Sequence, residues 1–235
     1  MGSERRLARI AGAMYLVVAV GGIFAEIVVR QRIVETGDAA ATADNIRASA
    51  GLFRAGFAAD LVQATFFLFT AMALYLLLRH VDELVARTMV ILVAVSVAIM
   101  SLNLLNQWIA LRVATGQELG FGPGGSDALT GLFADMHHFG YLIAQMFFGL
   151  WLLPLGYLVV RSGWFPKALG VLLMVGAGGY VLDLFGRFLA PGLADRIGPI
   201  VLTPAAIGEL SFVAWLLIKA VPAKEPAARI PALAA

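Results

Sequence analysis

The sequence predicts an all-α fold: a bundle of six transmembrane helices with both termini in the cytoplasm. Three observations carry this expectation. First, 61% of the 235 residues are hydrophobic and 14% are charged, whereas a soluble domain has about 45–50% and about 25%. Second, six apolar segments are each long enough to cross about 30 Å of hydrocarbon, which takes about 20 helical residues. Third, most of the lysines and arginines fall between those segments, and an even number of spans returns the chain to the side where it began.

The first span covers about residues 8–29. Arg5, Arg6 and Arg9 precede an apolar run that continues to Val29. That run is longer than the h-region of a signal peptide, and no small-residue cleavage site ends it, so it reads as a retained span. The connection to the second span, about 55–78, contains the Ala-rich stretch TGDAAATADNIRASA at 36–50. It predicts a short helix lying on the outer surface, with Thr36 or Asp38 as N-cap. A short basic link, 79–88, leads to the third span, about 89–112.

The stretch TGQELGFGPGGSD at 115–127 reads as an irregular Gly-rich loop. No strand precedes it, so its glycines match no phosphate-binding motif. The fourth span, about 138–160, holds Pro154, which is expected to kink it. A second short basic link, 161–167, leads to the fifth span, about 168–190, and the sixth covers about 200–220. The Gly-, Asp- and Pro-bearing segment 191–199 reads as a loop between them. Residues 1–221 are thus read as one membrane domain. The tail PAKEPAARIPALAA, 222–235, has proline spacing that discourages helix and reads as a disordered cytoplasmic tail.

Orientation follows from the basic residues. The side holding the termini carries Arg5, Arg6, Arg9, Arg79, Arg87, Arg161, Lys167, Lys219, Lys224 and Arg229. The opposite side carries Arg30, Arg32, Arg47, Arg54, Arg112, Arg187 and Arg196. Ten against seven places the termini in the cytoplasm.

Composition also excludes functions. With no cysteine, the chain has no disulfide and no thiolate metal site. A net charge of +2, with its basic residues dispersed, gives no footprint for nucleic acid. The partner implied by the sequence is the lipid bilayer.

The chemistry-bearing residues form a layer. One phrase occurs twice: GGIFAEIVVR at 21–30 and GGYVLDLFGR at 178–187. Each is a Gly-Gly pair, three residues, an acid, three residues and an arginine. An ionisable residue within a span is costly and is by default a functional candidate. Glu26 and Arg30, and likewise Asp183 and Arg187, are four apart and share a helix face.

Asp60 in span 2 and Glu209 in span 6 have no arginine three or four residues away. They must pair across helices, stay protonated or bind a cation. Asn103, Asn106 and Gln107 form a polar face on span 3. Asp135, His137 and His138 mark the mouth of span 4, and Gln145 continues their stripe. At about 1.5 Å per residue, Glu26 and Asp60 fall roughly 10 Å outside the midplane, and Asp183 roughly 6 Å. The inner halves hold no ionisable side chain, so a polar path would stop halfway. Gly21, Gly22, Gly176, Gly178 and Gly179 are small enough to let membrane helices approach closely.

These residues support specific roles. Asp60, Glu209 and His138 are the acid, base or catalytic candidates. Glu26, Arg30, Asn103, Asn106, Asp183 and Arg187 are the substrate-binding candidates. Asp135, His137 and His138 are candidates for a divalent metal, although no ligand spacing such as HExxH accompanies them. For each Arg–acid pair the alternative role is mutual neutralisation, and for the histidines it is capping of a helix mouth.

Several phrases together are similar to a family of bacterial multi-pass membrane proteins, domain of unknown function 4386. They are GIFAEIVVR, GDAAATADNI, LFRAGFAADL, HFGYLIAQMFFGLWLLPLGYLVVRSGWFPKALGVLL and PAAIGELSFVAWLLIKAV, and the likeness covers about residues 9–221. The resemblance implies a protein of the bacterial plasma membrane and implies no activity. Function is therefore read from the residues: an acid-rich pocket in the outer half of the bundle that binds, and in one version transforms, a small or lipid-like molecule. Two alternatives stand beside it: a proton-coupled small-molecule transporter, and a non-catalytic membrane subunit or sensor. A parallel internal repeat, with spans 1–2 and 5–6 as its halves, would account for the doubled phrase.

Overall fold

A computed structural model describes residues 3–116 and 122–221; the side chains of Pro123 and Asp195 are outside the description. The described chain is helical, with no strand among these residues, and six of its helical stretches are long and apolar enough to cross a membrane. The elements are α1 (Ser3–Ile23), a π-helical turn (Phe24–Arg30), α2 (Gln31–Ile33), α3 (Ala39–Ala48), α4 (Ala50–Leu78), α5 (Glu83–Ala114), α6 (Gly122–Leu150), α7 (Leu152–Ser162), α8 (Lys167–Leu189) and α9 (Pro191–Ile218).

The spans close into a ring in chain order. The first packs on α4, α4 on α5, and α5 on α6. The broken helix α6–α7 packs on α8, α8 on α9, and α9 returns to α1. Helices satisfy most backbone amides internally, the arrangement hydrocarbon requires. The outer faces carry exposed leucines and isoleucines such as Leu102, Leu182, Ile200 and Ile218. In water such a belt would be an aggregation surface, whereas in lipid it is ordinary. The first and last described residues lie at one end of the ring, hereafter the terminal end. The opposite end is the far end.

The helix breaks have local causes. Pro154 has no N–H to give the carbonyl four residues earlier, and the helix interrupts at Trp151 between α6 and α7. The helix ends at Gly163 in the left-handed region, φ 69°. Asp82 caps α5 by accepting from the Val85 N–H at 3.1 Å. Of the two cap candidates for α3, Asp38 does the work, accepting from the Ala41 N–H at 2.9 Å.

Two expected loops are helix instead. Residues 191–199 form the first turns of α9, because Pro191 at the first turn is compatible with helix. The fourth span begins far earlier than residue 138: the chain turns at Gly122, φ 67°, and is helical from there. Residues 117–121 of the expected loop, and the tail 222–235, lie outside the described residues.

Helix α3 is amphipathic and lies across the far end against α5 and α6. Its Ala43 and Ile46 join Val29, Ile33, Phe53, Leu111 and Ala114 in a small apolar core. Arg47 ties it down, reaching Asp44 at 2.7 Å and Asp127 at 3.0 Å. Those hydrogen bonds, to Asp44 first and Asp127 second, raise the Arg47 guanidinium above its ordinary value.

The terminal half of the ring is filled. Trp151 is fully buried on its axis, 5.0 Å from the ring of Phe67 and 5.5 Å from Tyr15. Phe212 packs on Tyr15 from the α9 side. The far half is not filled, and the chemistry collects there.

Candidate functional site

A cavity of about 250 Å³ sits inside the ring, just beyond the aromatic core. All six spans line it. From α1 come Tyr15, Val18, Ala19, Gly22 and Ile23. From α4 come Gln63, Ala64 and Phe67, and from α5 Met100. From α6 come Tyr141, Gln145 and Phe148, from α8 Tyr180, and from α9 Ala206, Glu209, Leu210 and Val213.

Among the described residues that line it, Glu209 is the one charged side chain. It is held by two phenols. Tyr15 donates its hydroxyl proton to Oε2, and Tyr180 donates to Oε1 at 3.1 Å. A carboxylate has about four lone-pair positions, so two donors leave acceptor capacity unused.

Two further acids stand one step behind the wall. Asp60 accepts from Arg30 Nη1 at 2.5 Å and from Gln63 Nε2 at 2.7 Å. Asp183 accepts from Arg187 Nε at 3.0 Å and from Gln145 Nε2 at 3.1 Å. The result is two relays of one form, arginine to aspartate to glutamine. Each ends on a glutamine that lines the cavity. A carboxylate can only accept, so each glutamine must turn its NH₂ toward its aspartate.

The close packing that allows this comes from glycines. A Cβ at Gly22 would lie 2.7 Å from Oε1 of Gln63, so only glycine lets that amide lie against α1. A Cβ at Gly179 would lie 2.0 Å from the Val201 carbonyl oxygen. Gly21 and Gly176 likewise face neighbouring helices, but Gly178 faces open space.

The first copy of the doubled phrase runs through the π-helical turn Phe24–Arg30, a feature often found at functional sites. Arg30 there bridges Glu26, at 2.8 Å, and Asp60. Its guanidinium also lies 5.6 Å from the centre of the Tyr141 ring. The second copy stays in regular helix within α8, and its aspartate faces Gln145. The two copies thus use different neighbours.

The sequence-derived candidates do not all share one space. Of the three options for Asp60, the structure shows the first: it pairs across helices with Arg30, and it lies behind Gln63 rather than on the cavity wall. His138 does not join Asp60 or Glu209. It is exposed, and its ring contact is with Phe139. A helix turns about 100° per residue, so adjacent His137 and His138 cannot both face inward.

His137 is the buried one. Its backbone carbonyl accepts from Asn103 Nδ2 at 2.7 Å, and its Nδ1 lies 3.1 Å from the same atom. Asn106 donates to Asn103 Oδ1 at 3.0 Å. Asn103 therefore joins α5 to α6, Asn106 supports it from the same helix, and neither lines the cavity. The candidates Asp135, His137 and His138 part in the same way, with Asp135 exposed. Among the described residues no three histidine or carboxylate side chains gather as a metal site.

Sequence reasoning passed over the tyrosines. Glu209 lacked a neighbouring arginine, and the polar hydrogens available inside the spans included the hydroxyls of Tyr15, Tyr141 and Tyr180. That was the signal that could have found them.

The shape of the opening follows from two helix stripes. Gly12, Ala19 and Ile23 are separated by seven and eleven residues, which is two and three turns, so they share one face of α1. Leu217, Leu210 and Ala206 have the same spacing on α9. At the terminal end these stripes touch: a Cβ at Gly12 would lie 3.1 Å from Leu217 Cγ. Toward the far end, Ile23, Ala206 and Leu210 are the exposed members of the cavity lining. The exposed part of the cavity lining therefore belongs to α1 and α9.

A protein of Archaeoglobus fulgidus, described as uncharacterised, is 40% identical over 77 residues, which is 33% of this chain. This chain spans 44% of that relative's length. No solved structure matches significantly. The match to a family is far more extensive, covering residues 10–220, and the chain belongs to the family described as domain of unknown function (DUF4386).

Proposed function

We propose that this protein is a plasma-membrane binding protein whose intramembrane chamber takes up a small lipid-soluble molecule from the bilayer. The observation that carries the reading is that the exposed part of the lining is apolar and lies on α1 and α9, while the cavity behind it contains a carboxylate. A cavity meant for water-borne solutes would open at an end of the ring. This one is rimmed by Ile23, Ala206 and Leu210, side chains that belong in hydrocarbon.

The mixture of surfaces fits the same reading. Ligand sites are mostly apolar, with a few polar groups that fix orientation. Here Phe67, Phe148, Val18 and Val213 supply the apolar wall, and Glu209, Gln63 and Gln145 supply the polar points. Arg30 and Arg187 act behind the wall. They neutralise Asp60 and Asp183, and those acids in turn orient the glutamines. Transport across the membrane would require the core around Trp151 to open, and that core is close-packed aromatic rings.

The test is chemical. The protein is extracted from its native membrane in mild detergent, and small molecules bound to it are measured by mass spectrometry. The same is done for Ala206→Trp, which fills the mouth from an exposed position. The expected result is a small molecule retained by the wild type at near one per chain and lost from the variant. A wild type that retains nothing, or a plugged variant that retains as much, overturns the reading.

A further inference from the structure

We infer that the chamber selects an amphiphile whose polar end is a cationic amine, with Glu209 as the counter-charge. This rests on the chamber reading above and names the chemical class that the reading leaves open.

The argument is a balance of donors and acceptors. Among the described residues, no lysine, arginine or histidine lines the chamber, and Glu209 is its one charged group. The hydroxyls of Tyr15 and Tyr180 are spent on Glu209, so they act there as donors and are not free to donate to a ligand. Gln63 and Gln145 turn their NH₂ groups away to Asp60 and Asp183. That orientation leaves their carbonyl oxygens as acceptors not committed to those acids, while each NH₂ keeps one further hydrogen. The Tyr141 hydroxyl also lines the chamber, but these donors are all neutral, and the one charged side chain among the described lining residues is the acceptor Glu209. A ligand head that complements it must donate, and a positive charge adds attraction to the carboxylate.

The aromatic rings point to the same class. Tyr180 and Phe148 meet edge to face at 5.3 Å, and Phe148 lies 5.2 Å from Phe67. Their faces carry negative charge density, which attracts a cation within about 6 Å of the ring centre. Arg30 makes such a contact with Tyr141 from outside the chamber, so the protein's own cation is held behind the wall and does not neutralise Glu209. A carboxylate-headed amphiphile would meet Glu209 and the glutamine oxygens with like charge.

The experiment uses full-length protein in nanodiscs of zwitterionic lipid, so that a charged bilayer does not concentrate the probe. Three probes share one apolar body: phenylbutylamine, phenylbutanol and phenylbutyrate. Binding is followed by calorimetry. The amine is expected to bind at least about tenfold more tightly than the alcohol, a difference of about 1.4 kcal/mol, with the carboxylate weaker than either. Glu209→Gln is expected to bring the amine to the level of the alcohol, abolishing the tenfold preference.

If the alcohol binds as well as the amine, the cation inference is overturned and the chamber reading stands. If Glu209→Gln binds the amine like wild type, the amine is not held at Glu209 and the inference is again overturned. If no probe binds the wild type, both the inference and the chamber reading fail. The wild-type series alone decides the question should Glu209→Gln not fold.

Discussion

At the scale of single residues, the structure turns on who neutralises whom. Arg30 is mostly buried and sits between Glu26, which is half-exposed, and Asp60, which is buried. Removing the buried partner leaves a desolvated guanidinium with one exposed counter-ion. Breaking a buried ion pair from one side typically costs about 3–5 kcal/mol. Asp60→Asn is therefore expected to lower stability by about 3 kcal/mol. Glu26→Gln should cost at most about 1 kcal/mol, because exposed pairs contribute little. Thermal unfolding in detergent measures both, and equal effects would show that Asp60 is not the principal partner.

The spacing of the Arg–acid pairs made Glu26–Arg30 and Asp183–Arg187 readable from the sequence, because partners four apart on one helix need no knowledge of packing. Asp60 was harder. Its partner lies thirty residues away on another helix, and no periodicity fixes which neighbour a helix meets. The same limit hid the Tyr15–Glu209 contact, across 194 residues.

At the scale of elements, the close approaches decide the shape. The backbone of α8 meets α9 at Gly179, where an added Cβ would lie 2.0 Å from the Val201 carbonyl oxygen. Gly178, its neighbour in the same phrase, has nothing within 4 Å. Gly179→Val is expected to destabilise by about 1–3 kcal/mol through overpacking. Gly178→Ala should be neutral or slightly stabilising, because alanine favours helix by about 1 kcal/mol over glycine. Denaturant titration of the two variants compares them, and similar losses would mean that helix propensity rather than contact governs the site.

The six spans were legible because about 20 apolar residues have few alternatives in a membrane chain. Their ends were less so. Residues 191–199 look like a loop by composition, yet Pro191 begins α9 there, because proline at a first helical turn loses no hydrogen bond. The π-helical turn at Phe24–Arg30, packed on α4, left no mark in composition at all.

At the scale of the whole molecule, the ring has a filled half and a hollow half. Orientation in the membrane is open to a direct check, because the chain contains no cysteine. His80→Cys lies at the terminal end and Ala40→Cys at the far end, both exposed. The excess of basic residues near the termini predicts that a membrane-impermeant thiol reagent added to intact cells labels Ala40→Cys and spares His80→Cys. The reverse labelling would invert the protein.

The hollow half is where sequence and structure diverge most. The polar layer was visible as a set of acids, amides and histidines on one side of the midplane. Which of them face a common space was not, because that depends on helix rotation. Glu209, Gln63 and Gln145 face it, Asp60 and Asp183 stand behind, and His138 faces outward. The central claim is that this space communicates with lipid rather than with water. A spin label on Ala19→Cys, inside the chamber on the α1 stripe facing α9, reports this directly by paramagnetic resonance. The expected result is strong collision with oxygen dissolved in the bilayer and weak collision with a water-soluble nickel complex, with the oxygen signal falling when Ala206→Trp is added. A signal dominated by nickel, or one unchanged by Ala206→Trp, would contradict a chamber opening to lipid between α1 and α9.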